Sequence, residues 1–172
     1  LTGPDYDVAI VVDDGARFSG VHSDRLFSSR LTPVCSPAFL RDNGIRDPGD
    51  LKPAHLIGKI DPWWNSWLRA AGVTGIAPQT YTEMIVGSQY LEATAAMCGR
   101  GIALLSPPLF ATELRSGALV MPFPIFTEEQ RSYFLVCPEA KRSARKVKAF
   151  RRWLIDEWRA YESGIRDLLE AA

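Results

Sequence analysis

Ser88 and Gln89 stand where an apolar stretch gives way to a helical pattern, and Ser106 follows the unbroken apolar run Ile102–Leu105. Hydroxyl and amide side chains at such junctions suit an anionic or carboxylate ligand, because a helix start offers backbone N–H groups and the positive end of its dipole. The plain alternative is a serine that only caps its helix. Asp13 ends the first apolar run, DVAIVV, and is a fourth polar candidate at a strand end. Trp63, Trp64 and Trp67 crowd one short helical segment, with Trp67 able to share a face with either of the others. Packing the core is the ordinary fate of such residues, and lining a pocket is the alternative, for which Trp64 is the candidate.

Other chemistries find less support. His22 and His55 are isolated and lack a Cys or paired carboxylate at ligand spacing, so no metal site is expected. Ser36, Ser88 and Ser106 lack the Gly-x-Ser-x-Gly elbow and a histidine partner, so no catalytic residue is assigned and no enzyme is expected. Gly99-x-Gly101 follows a helix and precedes a strand, the reverse of a dinucleotide fingerprint, and reads as a tight turn. Cys35, Cys98 and Cys137 form no Cys-x-x-Cys pair and are expected as buried, reduced thiols. The run KRSARKVKAFRR from Lys141 to Arg152 could touch phosphate. Its interleaved apolar stripe and the following Asp156 and Glu157 favour a solvated helix face.

The elements that must position these residues follow from periodicity. Asp7–Val12 reads as a buried strand, and Arg25–Cys35, with Pro33 inside, as an edge or crossing strand. Ser36-Pro37 opens a helix stopped by Gly44, His55–Ile60 reads as a strand, and Asp61-Pro62 caps the tryptophan helix up to Gly72. Thr80–Val86 alternates as a strand, and Gly87-Ser88 opens a helix ending at Gly99. Leu91, Thr94, Ala95 and Cys98 share a face of that helix. Ile102–Leu105 reads as a parallel strand covered on both faces, and Ser106 caps the helix after it. Leu119–Phe123 and Ser132–Cys137 are expected strands. A long helix from Ser143 carries Val147, Phe150, Leu154, Trp158 and Tyr161 as its apolar stripe and is interrupted by Gly164. Helix, strand and helix in tight succession point to an open α/β sheet, which binds small ligands beyond the carboxyl ends of its strands.

Bulk properties narrow the class. A hydrophobic share of 47% supports a real core, and a net charge of zero argues against a nucleic-acid module acting alone. No apolar run approaches the ~20 residues of a membrane span, and no signal peptide is visible.

Taken in order, certain segments resemble a known family. They are DVAI at Asp7, RLFSSRLTPVCSPAFL, Asp50-Leu51, His55-Leu56-Ile57 and W-x-x-WL-x-AAG from Trp64. SQYLEATAAMCGRGIALLSP, G-x-LV-x-PFP from Gly117, YFLVCPEA and V-x-AFRRWL from Val147 complete the series. The set is similar to the effector-binding (substrate-binding) domain of LysR-type transcriptional regulators, in the branch of the glycine-cleavage activator and the β-lactamase regulator. The resemblance runs from about Asp5 to Trp158.

The resemblance implies an α/β, type 2 periplasmic-binding-protein-like fold of two Rossmann-like lobes. Residues 1–30 and 138–163 would form a partial first lobe, 31–137 the second, and 164–172 a tail. Leu31–Cys35 and Tyr133–Cys137 would be the crossing strands. A small-molecule effector would bind in the inter-lobe cleft against Asp13, Trp64, Ser88, Gln89 and Ser106, and would alter the angle between the lobes. No cofactor is implied. The expected partners are a homo-oligomer through effector domains, and promoter DNA through a winged helix that this sequence lacks. The expected location is the cytoplasm, with no membrane contact. The start of the first lobe, which carries one wall of the effector site in relatives, is also expected to be missing. Where relatives carry Arg-x-Gly after the first strand, this chain has Val11, Val12 and Asp13. A stand-alone periplasmic-type solute-binding protein of the same fold is the alternative.

Overall fold

The computed structural model describes residues 6–13, 19–58, 62–75 and 88–170. The expected strand Thr80–Val86 and the Asp61 cap lie outside the described residues. Four strands follow the spatial order β1-β4-β2-β3: β1 (Ala9–Asp13), β2 (Val21–Val34), β3 (Ala103–Leu105) and β4 (Thr127–Pro138). The helices are α1 (Pro37–Asn43), α2 (Pro62–Ala70), α3 (Gln89–Met97), α4 (Ala111–Arg115) and α5 (Arg145–Glu170). The chain divides into two compact units. One comprises Leu1–Ser29 with Glu129–Arg166, and the other Arg30–Glu128 with Asp167–Ala172.

The second unit is layered. Strand side chains alternate faces, and β3 shows the consequence. Ile102 and Leu104 join a buried cluster with Trp64, Trp67 and Leu68, whereas Ala103 and Leu105 join another with Ala93 and Ala96 of α3. Both faces of this strand are therefore covered, as its unbroken apolar run implies. Its pairing differs from expectation. β3 runs antiparallel to β2, with Thr32 opposite Leu105 and Val34 opposite Ala103, and the parallel contact beside it is the single bridge Leu56–Ile102. Of the two readings of Arg25–Cys35, edge or crossing strand, the edge is removed, because β2 lies between β4 and β3. Pro33 is accommodated near its end, opposite the three-residue β3.

Three further expectations are corrected in this unit. Of the expected strand His55–Ile60, the described residues 55–58 supply the end of a 3-10 turn (Pro53–His55) and one bridge, and Leu119–Phe123 supplies only the bridge from Val120 to Cys35. Helix α3 buries Ala93 and Ala96, while Leu91 is 59% exposed and Cys98 is exposed. The small alanines allow close approach to β3, which outweighs the burial of the larger Leu91. Gly101 has a sterically imposed role: φ is +152°, and a Cβ there would lie 2.7 Å from the His55 carbonyl oxygen. That closeness lets the Ile102 N–H donate to the same oxygen at 2.7 Å. The Gly-x-Gly is thus a structural turn.

The first unit is built differently. β1 pairs antiparallel with β4 from Ala9–Val136 to Asp13–Ser132. It ends the strand order, and its alternate residues Ile10 and Val12 are 54% and 43% exposed. The expected buried strand is therefore an edge strand. α5 buries Val147 and Ile165, and its Trp158 stacks on Phe27, which stacks in turn on Tyr133, with ring centroids 4.0 and 4.3 Å apart. Phe150 and Tyr161, assigned to the apolar stripe, lie at its exposed margins. Gly164 does not interrupt the helix. Its cost of about 1 kcal/mol relative to alanine is tolerated beside the buried Ile165.

Candidate functional site

Among the predicted site residues, the structure joins Gln89 to Ser106. Gln89 opens α3, and Ser106 directly follows β3, a helix start and a strand end brought together by packing of α3 on that strand. The Ser106 backbone N–H donates to Gln89 Oε1 at 2.8 Å. Pro107 and Pro108 follow and carry no N–H, so this is the last backbone donor before the next turn. The Ser106 side chain is fully buried, and its Oγ has no hydrogen-bond partner among the described residues. An unsatisfied buried hydroxyl costs about 1–3 kcal/mol, so this position is not explained by stability alone. Nor is Ser106 the side-chain cap that the sequence suggests, since the 3-10 turn Pro107–Phe110 receives no such bond.

Ser88 occupies the N-cap position of α3 in an extended conformation, and its carbonyl accepts the N–H groups of Leu91 and Glu92 at 3.1 Å. Its hydroxyl makes no capping bond. Ser88, Gln89 and Ser106 thus gather two hydroxyls and an amide where the helix dipole is positive, with Glu92 in the same first turn as a partial counterweight.

The other candidates are placed elsewhere. Asp13 ends β1 in the first unit, opposite Ser132. Trp64 is a core residue, 1% exposed, whose indole N–H donates to the Ile57 carbonyl at 2.8 Å and whose ring meets Trp67 edge-on. Its large apolar ring packs in the buried cluster of this unit. His55 Nδ1 accepts the Lys52 N–H at 3.1 Å, and burial, followed by the nearby Lys52 charge, pushes its pKa down. Burial raises the Cys35 thiol to about 12. No group of three or more metal-capable side chains occurs among the described residues.

One constellation escaped the sequence reading. In the first unit Arg151 binds Asp24 through two bonds of 2.7 Å, and its second terminal nitrogen group also lies 2.6 Å from His22 Nε2. The hydrogen bond from Arg151 is the main reason the Asp24 carboxyl lies below its ordinary pKa. Arg151 lies 127 positions from Asp24 in the chain, so no local motif reveals it.

Comparison with known proteins gives this arrangement its family. A family described as the LysR substrate binding domain matches residues 1–159. The chain belongs to that family of LysR substrate-binding domains. It is 29% identical over 164 residues to the glycine cleavage system transcriptional activator of Escherichia coli K12, covering 94% of this chain and 53% of that protein. It is 32% identical over 157 residues to the HTH-type transcriptional activator AmpR of Citrobacter koseri, covering 90% and 52%. The chain therefore spans about half the length of these relatives. Among solved structures, the effector domain of AmpR from Pseudomonas aeruginosa matches with a TM-score of 0.76 at 27% identity, over 92% of this chain and 74% of that one. The AmpR effector-binding domain of Citrobacter freundii, at 24% identity and TM-score 0.77, supports the fold. The fold is thus α/β and type 2 periplasmic-binding-protein-like. No described helix is long and apolar enough to cross a membrane.

Proposed function

We propose that this domain senses a small metabolite held at the end of β3 by Ser88, Gln89 and Ser106, and that it acts by binding and not by catalysis. The observation that carries the reading is the buried Ser106 hydroxyl, without a partner among the described residues, beside an N–H already engaged by Gln89. Mostly apolar surroundings with few convergent polar groups are the usual make-up of a small-molecule site. Trp64 is proposed as a rigid support behind the second unit's sheet. The relatives are named transcriptional activators, which supports a regulator working in the cytoplasm on promoter DNA as a homo-oligomer. The effector needs only a higher affinity for one of two arrangements of the regulator to shift their populations.

A thermal-shift screen of amino acids, aromatic acids and peptidoglycan fragments tests this reading. We expect a ligand that raises Tm in the wild type and binds Ser88→Ala or Gln89→Ala at least about tenfold more weakly, the loss of one polar contact. Equal affinity in both variants would remove these residues from the site.

A further inference from the structure

Between Lys141 and Ile155 the chain carries seven cationic side chains and no acidic one. The structure divides them. Lys141 and Lys146 reach Asp7, Arg142 lies near Glu139, and Arg151 clamps Asp24. Arg145, Lys148 and Arg152 remain, all exposed and without an ion pair among the described residues. Their spacing of three and four residues puts them on one face of α5. Val147 and Ile165, the residues α5 buries, lie on the opposite side of the helix wheel. The row covers about 10 Å along the helix.

Two of these charges stand in the first turns of α5, which has no acidic residue in its first turn. A helix dipole disfavours cations there, so the arrangement works slightly against the helix. Net charge does not explain the patch either, since the whole chain is neutral. We infer that Arg145, Lys148 and Arg152 form a contact surface for the phosphate backbone of duplex DNA, adding a weak, sequence-independent contact from the effector domain itself. A row of exposed, unpaired cations is the footprint such binding requires, and it releases counterions from the duplex.

Fluorescence anisotropy of a labelled duplex of mixed sequence, titrated with the 172-residue chain at low salt, tests the inference. Binding should weaken with salt at a log–log slope of about −2.7, the value for three phosphates. Arg145→Glu, Lys148→Glu and Arg152→Glu together should reduce affinity by at least about tenfold. Tm should hold or rise, because acids at a helix start are favourable. A control triple with the same charge change on the other unit, Arg41→Glu, Arg69→Glu and Arg100→Glu, should lose clearly less. Absence of duplex binding by the wild type, or equal losses in the two triples, would overturn the proposal. An acidic protein surface would then be the patch's remaining partner class.

Discussion

The two units hold together by different means. The second is a layered apolar core in which β3 buries alternate side chains into two clusters, with Trp64 and Trp67 both almost fully buried. The first combines a small buried set with an edge strand that leaves Ile10 and Val12 open, and with charged clamps from α5 to Asp7 and Asp24. Apolar burial scales with area and tolerates salt and pH. Paired charges depend on geometry and protonation. The second unit should therefore respond to cavities and the first to acid.

The largest effect is expected at Trp67, which is fully buried and whose indole N–H donates to the Ile125 carbonyl at 3.0 Å. Trp67→Ala should cost about 3–5 kcal/mol in urea unfolding. A loss below about 1 kcal/mol would mean that the layered core is not what stabilises this unit.

Next comes Asp24→Asn, which weakens a partly buried, doubly bonded carboxylate and should cost roughly 1–3 kcal/mol. Its pH dependence has a definite sign. The folded-state pKa of Asp24 lies below its ordinary 3.8, so the unfolded chain takes up the proton first as pH falls. The stability it contributes is complete above that ordinary value and is lost as pH drops through the lower folded value. The variant should therefore lose less stability than the wild type on acidification below pH 3.8. Parallel acid limbs would show that the clamp does not contribute.

The smallest effect belongs to the open face of β1. Val12→Thr should change stability by less than about 0.5 kcal/mol, because the side chain is already 43% exposed. A cost like that of Trp67→Ala would show that this face is covered in solution.

Legibility in the sequence follows the same division. Ile102–Leu105 announced a doubly covered strand because four consecutive apolar residues admit little else, and Ser36 with Gly44 announced α1. The direction of β3's pairing was not legible, since its partner β2 is distant in the chain. Nor was the face of α3, where close alanine packing outweighed the larger side chains at helical spacing. The strand-end position picked out Ser88, Gln89 and Ser106, yet only packing brings Gln89 to the Ser106 N–H. Trp64 was ambiguous because the same residue type serves cores and pockets, and its bond to the Ile57 carbonyl could not be read from the sequence. The clamp of His22, Asp24 and Arg151 required the fold to bring β2 and α5 together.

The central claim rests on Ser106, and Ser106→Ala tests it most directly. Calorimetry should compare this variant with the wild type against the same panel of amino acids, aromatic acids and peptidoglycan fragments, alongside urea unfolding without ligand. Removing a buried hydroxyl that has no partner among the described residues should leave stability unchanged or raise it, while ligand affinity falls by about tenfold or more. A destabilised variant that binds its ligand as tightly as the wild type would contradict the account.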